Sequence, residues 1–288
     1  MTARGRRLIG IPAAIIIVLT AASTTAAAPV NPAPACKPLT RFERDDFPRR
    51  PKVANPWNPL VPGMQLIMEG RANRGGGLLP HRTILTVTDL TKVIDGVRTV
   101  VLLDQDYNQG RLSEAELAFH AQDDAGNVWN LGEYPEIYAG GQFRGAPDTW
   151  IAGMAGATAG VIMRAHPRLE TSSYRQGRAP RIEFYDCASV LRTGQRACVP
   201  SRCYDRVLVT DEWSPLDPES GHQRKYYAPG IGNIKITAVG DPEGETLVLV
   251  SVAHIGAAAL AAARAKALTM DRRAYRVSAV YRQTPPAE

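Results

Sequence analysis

Apolar and polar residues alternate along most of the chain with a period of two, the signature of half-buried strands. Met64 to Glu69 (MQLIME), Thr83 to Thr88 (TILTVT) and Arg98 to Asp104 (RTVVLLD) follow it, as do Glu114 to Gln122 and Val128 to Tyr134. Further strands are expected at Val161 to Arg164, Arg181 to Leu191, Tyr204 to Trp213, Lys225 to Tyr227, Ile231 to Thr237 and Thr246 to Val252. Glycine and proline clusters separate them, among them Arg74-Gly75-Gly76-Gly77, which leads to no helix and suits a hairpin connection. Many strands with short breaks predict a mainly β fold, a curved antiparallel sheet or partly open barrel. One segment departs from the pattern. Ala257 to Leu268 (AAALAAARAKAL) is built from strong helix formers and predicts a C-terminal α-helix.

The segment ELAFHAQDDAGNVWNLGEY joins two alternating runs through Asp124-Ala125-Gly126. A three-residue loop with Gly126 in the left-handed position sets Ala121 against Trp129, Phe119 against Leu131 and Leu117 against Glu133. One face is then apolar, with Glu133 intruding. The other carries Glu116, His120 and Gln122 opposite Tyr134, Asn130 and Val128. A slip of one residue would mix the faces. Glu116 and His120 lie two strand steps apart, about 13 Å at Cα, so a site using either needs groups from neighbouring strands. Glu116, His120 and Glu133 are the candidate acid–base residues, with a solvated outer face and an arginine-paired Glu133 as the structural alternatives.

The ends of the chain carry different signals. Met1 to Arg7 is basic, Leu8 to Thr20 (LIGIPAAIIIVLT) is apolar, and AASTTAAA follows. These are the three parts of a secretory signal, with cleavage expected near Ala27 or Ala28. An uncleaved anchor is the rival, although the apolar core is shorter than the roughly 20 residues of a spanning helix. Export makes the location the cell-envelope exterior or beyond. The organisation expected is a signal peptide over 1–28, a Pro- and charge-rich irregular arm over 29–56, one β-rich domain over 57–282 and a loose tail over 283–288. Four cysteines in an exported chain favour two disulfides. Cys198 and Cys203 bracket a tight turn, which suggests Cys198–Cys203 and Cys36–Cys187. A metal site lacks close C-x-x-C spacing and a nearby histidine.

Composition adds little. Of 288 residues, 44% are hydrophobic and 22% charged, with a net charge of +6, as for an ordinary globular chain. Without Arg4, Arg6 and Arg7 of the signal, 31 basic residues face 28 acidic ones. That balance, without interleaved aromatics, argues against nucleic acid. Yet eight acids and one base, Arg111, lie between Asp104 and Glu136. Within this stretch DQDYNQG resembles an irregular calcium turn that would use Asp104, Asp106, Asn108 and Glu114. The EF-hand pattern fails, since Gln109 and Ala115 stand where glycine and glutamate are required. An ordinary turn explains the same residues through backbone preference. No nucleophile elbow, phosphate loop, zinc helix or dinucleotide fingerprint occurs. The histidines, His81, His120, His166, His222 and His254, are scattered.

The strings FHAQDDAGNVWNLGEYPE, TWIAG and YYAPGIGN resemble uncharacterised secreted bacterial proteins, over about Trp57 to Tyr281. KYYAPGIGNIKI is also similar to one motif of lipoprotein carriers of the LolA/LppX type. That resemblance implies a half-barrel that holds lipid, transfers no binding residue, and is not matched by an acylated cysteine here. The function expected is non-catalytic binding of an apolar or amphipathic small molecule or lipid in a concave sheet. Phe119, Trp129, Leu131, Trp150, Tyr226 and Tyr227 are the candidate lining, each also plausible as plain core. The alternatives are an extracellular hydrolase or isomerase using His120, Glu116 and Glu133, and a calcium-stabilised structural protein. Membrane contact is expected only if the N-terminal segment stays uncleaved.

Overall fold

The computed structural model describes residues 35–288; the expected signal peptide lies outside them. Among the described residues there are fourteen strands. They are β1 (Met64–Asn73), β2 (Leu78–Ile94), β3 (Val97–Asn108), β4 (Arg111–Gln122), β5 (Val128–Ala139), β6 (Gln142–Gly145) and β7 (Trp150–Ile151). Then come β8 (Thr158–Met163), β9 (Tyr174–Ala179), β10 (Phe184–Val199), β11 (Arg202–Trp213), β12 (His222–Ala228), β13 (Gly232–Val239) and β14 (Thr246–His254). The one α-helix among the described residues, α1, spans Ala257–Val277.

Twelve of the strands close into an antiparallel barrel, in the order β4-β3-β2-β1-β14-β13-β12-β11-β10-β9-β8-β5 and back to β4. A curved sheet or a partly open barrel is the expectation; the β4–β5 pairing closes it fully and removes every long free edge. Short β6 and β7 add to β5. Each expected strand is found, usually longer than its apolar core. Three were not foreseen: β6 and β7, which are very short, and β9 (YRQGRA), which has no apolar alternation.

The two faces of the sheet have different neighbours. Val101, Leu103, Leu117 and Phe119 are buried with Ala267, Met270 and Ala274 of α1 and with Tyr281. The opposite side of α1 is exposed, so this is the outer face of the barrel. The other face, with Val100, Leu102 and Ala118, joins Leu66, Met68, Leu208, Ile234, Leu247 and Leu249 from strands around the circumference. These residues point inward. A helix of this kind depends on the sheet, because its alanines give propensity but little apolar area.

Residues 35–63 run irregularly, as their prolines predict, but they are firmly held. Phe42 and Phe47 pack on Trp129 at ring distances of 5.4 and 6.0 Å. Gln122 Oε1 accepts the backbone N–H groups of Ala54 and Asn55 at 2.8 and 2.7 Å. Asn55 Nδ2 donates to the carbonyls of Gly126 and Arg164, and Gly230 N–H donates to Pro56 O. Val53 and Leu60 bridge each other and bury among the inward residues. The segment therefore reaches from the β4–β5 loop to the β12–β13 turn, which lie on opposite sides of the strand order, and closes this end of the barrel. Cys36–Cys187 ties its start to β10, and Cys198–Cys203 staples the β10–β11 turn.

The C-terminal tail differs from expectation. Residues 283–288 are docked, not loose: Thr91 and Glu288 exchange two backbone hydrogen bonds, and Pro285 O accepts from Lys92 Nζ at 2.6 Å. Proline composition suggested mobility, but a buried lysine needed an acceptor, and the tail provides it.

Candidate functional site in the barrel interior

The β4–β5 hairpin keeps its expected register only near the turn. Ala121 faces Trp129, His120 faces Asn130 and Gln122 faces Val128. A bulge between Phe119 and His120 then adds Leu131 to β5, so Phe119 faces Gly132 and Ala118 faces Glu133. The expected pairs Phe119–Leu131 and Leu117–Glu133 are thus corrected to Phe119–Gly132 and Leu117–Tyr134. A bulge inserts one residue and inverts every side chain beyond it. Glycine allows it here, since a Cβ on Gly132 would lie 2.8 Å from the Trp150 carbonyl oxygen. Glu133 consequently leaves the apolar outer face and turns inward, to the face of Glu116 and His120.

The same parity carries through β3 and β2. Asp104 pairs with Glu116 and Asp106 with Glu114; Asp104 pairs with Leu85 and Asn108 with His81. Five carboxyl groups, Asp104, Asp106, Glu114, Glu116 and Glu133, therefore share one inner surface on three adjacent strands. Cross-strand partners of this kind have Cβ atoms roughly 5 Å apart. Burial pushes Asp104 up to about 6. Burial, then the charges of Asp106 and Asp104, pushes Glu114 up to about 8. Burial, then Glu133 and Glu114, holds Glu116 well above the usual carboxylate range. Asp104 Oδ1 is enclosed and has no hydrogen-bond partner.

Their neighbours are better satisfied. Glu133 accepts from Asn130 Nδ2 at 2.6 Å and from Trp150 Nε1 at 2.9 Å. Asp106 accepts from Ser113 Oγ at 3.0 Å. His81 lies between Asn108 Oδ1 at 2.9 Å and Glu245 Oε1 at 3.0 Å, with Asp106 Oδ1 at 3.4 Å. Further round the barrel, Lys225 Nζ meets Glu212 Oε2 at 2.7 Å. Burial pushes Glu212 up, but the Lys225 charge outweighs it and holds the carboxyl below its ordinary value.

The interior is therefore graded along its axis. Toward the closed end it carries Met64, Leu66, Val87, Val100, Leu102, Ala118, Leu208, Ile234 and Leu249. Toward the other end it carries the five acids, His81, Glu245, Gln223, Lys225 and Glu212. His120 sits at the apolar level, where burial pushes it down to about 3 and its Nδ1 has no partner. So Glu116 and Glu133 come together, whereas His120 stays two strand steps away.

The candidate ligand-lining set is divided by the wall. Phe119, Trp129 and Leu131 pack on the outer face beneath α1 and the arm, and Tyr226 lies outside under Lys235. Tyr227 points inward, with its hydroxyl 3.4 Å from Glu212 Oε1, and Trp150 reaches Glu133. The aromatic set is corrected accordingly: it does not form one concave surface. Alternation placed these residues on the same face as each other, but not on the inside of the curve. Of the candidate calcium ligands, Asp104, Asp106, Asn108 and Glu114 all face inward, yet among the described residues no three His, Cys, Asp or Glu side chains converge as metal ligands. Sequence reasoning missed His81, Glu245, Glu212 and Lys225. Their inward parity was readable, but the long-range strand order that unites them was not.

No family profile and no curated protein matches this chain. Two solved structures are similar at low scores. One is a "putative lipoprotein" from Parabacteroides distasonis ATCC 8503, at 12% identity and TM-score 0.39, covering 69% of this chain and 99% of its own. The other is a "putative exported protein with YmcC-like fold" from Bacteroides fragilis NCTC 9343, at 13% identity and TM-score 0.36, covering 68% and 98%.

Proposed function

We propose that this chain is an exported, non-catalytic binding protein whose barrel interior takes one amphipathic small molecule or lipid. The graded interior carries this reading: apolar toward the plugged end, polar toward the other. An eight-stranded barrel is about the size that side chains fill, and wider ones enclose ligands or water. Twelve strands leave more width than that. The ligand's apolar part would lie against Leu66, Leu102, Ala118 and Leu249, with its head beside Glu114 and Glu116. Two disulfides fit a protein working in an oxidising compartment.

Native mass spectrometry of protein from a secreting host tests the proposal, before and after denaturation and after exposure to dodecylamine, dodecanoate and dodecyl maltoside. Added mass that leaves on denaturation is the expected result, either as isolated or after exposure. A bare protein that takes up none of the three overturns it.

A further inference from the structure

We propose that the head group held in this interior is an organic cation, an amine seated among Glu114, Glu116 and Glu133 with Asp104. This rests on the binding reading and names its ligand class. The barrel contains its own comparison. Glu212 is as enclosed as Glu116, but Lys225 places an ammonium 2.7 Å from it, and Thr210 Oγ1 donates to it at 2.9 Å. That carboxylate stays ionised. Glu114 and Glu116 share their surface with three further acids, and among the described residues the arginines of β3 and β4 on that parity stand at its two ends: Arg111 is exposed opposite Asn108, and Arg98 is held by Thr91 and Glu288. His81, the nearest base, is committed to Glu245 and Asn108.

A second observation points the same way. Asp104 is 6% exposed, aims at Glu116 across the strand pair, and leaves Oδ1 without a partner. A buried acceptor without a donor is costly, and a donor-rich guest removes the cost. An ammonium offers up to three such donors. A metal ion suits the site less well, since no three of these groups converge at metal-ligand geometry among the described residues. A carboxylate or phosphate head would add one more negative charge to five acids. Burial pushes Glu114 up to about 8 and Glu116 well above the usual carboxylate range, and an arriving amine would favour the ionised form of both.

The test compares dodecylamine, dodecanoate and dodecyl maltoside by isothermal titration at pH 7.5, with Glu116→Gln, Glu114→Gln and, as a control, the outer-face Glu69→Gln. Dodecylamine is expected to bind, dodecanoate at least tenfold more weakly. Glu116→Gln and Glu114→Gln should each weaken the amine tenfold or more, and Glu69→Gln should leave it unchanged. Folding of each variant is checked by its unfolding transition; Gln matches the shape of the protonated carboxyl that burial favours at Glu116, so Glu116→Gln should melt no lower than the parent. Equal or tighter binding of dodecanoate or the maltoside overturns the cationic head while the binding reading survives. Silence from all three probes, with a bare native mass, overturns both.

Discussion

Helix α1 and the tail both meet the barrel at the buried Lys92–Asp271 ion pair, and removing its cation should loosen both. Lys92 on β2 is fully buried, and Asp271 on α1 is 4% exposed at the side chain. Lys92 Nζ donates to Asp271 Oδ1 at 2.9 Å, Tyr275 Oη at 3.0 Å and Pro285 O at 2.6 Å. It also lies 4.2 Å from the centre of the Tyr281 ring. Lys92→Met keeps the apolar stem but leaves Asp271 as a buried carboxylate with only Tyr281 Oη and the Ala287 N–H near it. Breaking such a pair from one side costs about 3–5 kcal/mol. For a domain of this size that is a fall in Tm of about 10 °C. Adding Asp271→Asn removes the orphaned charge and keeps an acceptor for Tyr281. The double variant should recover more than half of the loss. Urea unfolding followed by tryptophan fluorescence measures both. A loss under about 1 kcal/mol in the single variant, or no recovery in the double, would refute the argument that an uncompensated charge dominates.

The other predictions concern pH, covalent links and the bulge. His81 is held above its ordinary pKa: burial pushes it down, but the hydrogen bond it donates to Glu245 and the Asp106 charge outweigh that. A raised pKa contributes stability in full below about pH 6.5 and loses it as pH rises through the folded value. The stability gap between the parent and His81→Gln should therefore be larger at pH 6 than at pH 9, and an equal gap would remove the charge from the account. Opening Cys36–Cys187, with a separation of 151 residues, should cost about 5 kcal/mol by loop entropy, against about 2 kcal/mol for Cys198–Cys203, with a separation of 5. Paired serine variants in denaturant decide the order. Gly132→Ala forces a Cβ against the Trp150 carbonyl and should destabilise by about 1–3 kcal/mol; a neutral result would mean that the bulge accommodates a side chain.

How far the sequence revealed this site depends on which interactions set each feature. Strands such as Arg98–Asp104 were legible because a half-buried sheet imposes a local period of two. Cys198–Cys203 was legible because its turn is local. β9 was not, because YRQGRA is placed by its partners β8 and β10 and not by its own pattern. Likewise, nothing local says which face of β4 lies inside a barrel; that depends on β4 meeting β5 at the end of a twelve-strand circuit.

Glu133 shows how a small backbone event creates chemistry. With an unbroken register it would lie among Leu117, Phe119 and Trp129, an isolated acid beneath the helix. One extra residue, Leu131, admitted by Gly132, moves it through the wall to join Glu116. The same shift brings Tyr134 out to donate to Glu136 at 2.9 Å, a carboxylate anchored by Arg273 of α1 at 2.6 Å. So the bulge sorts two glutamates of one strand. Glu136 goes outward to an arginine and strengthens the helix–barrel contact. Glu133 goes inward, where no arginine waits and four other acids already stand. A fold concerned only with stability would gain from neutralising that inner group, since buried like charges oppose one another. Keeping it acidic while the outer acid is paired is the arrangement that the cationic guest proposed above would use.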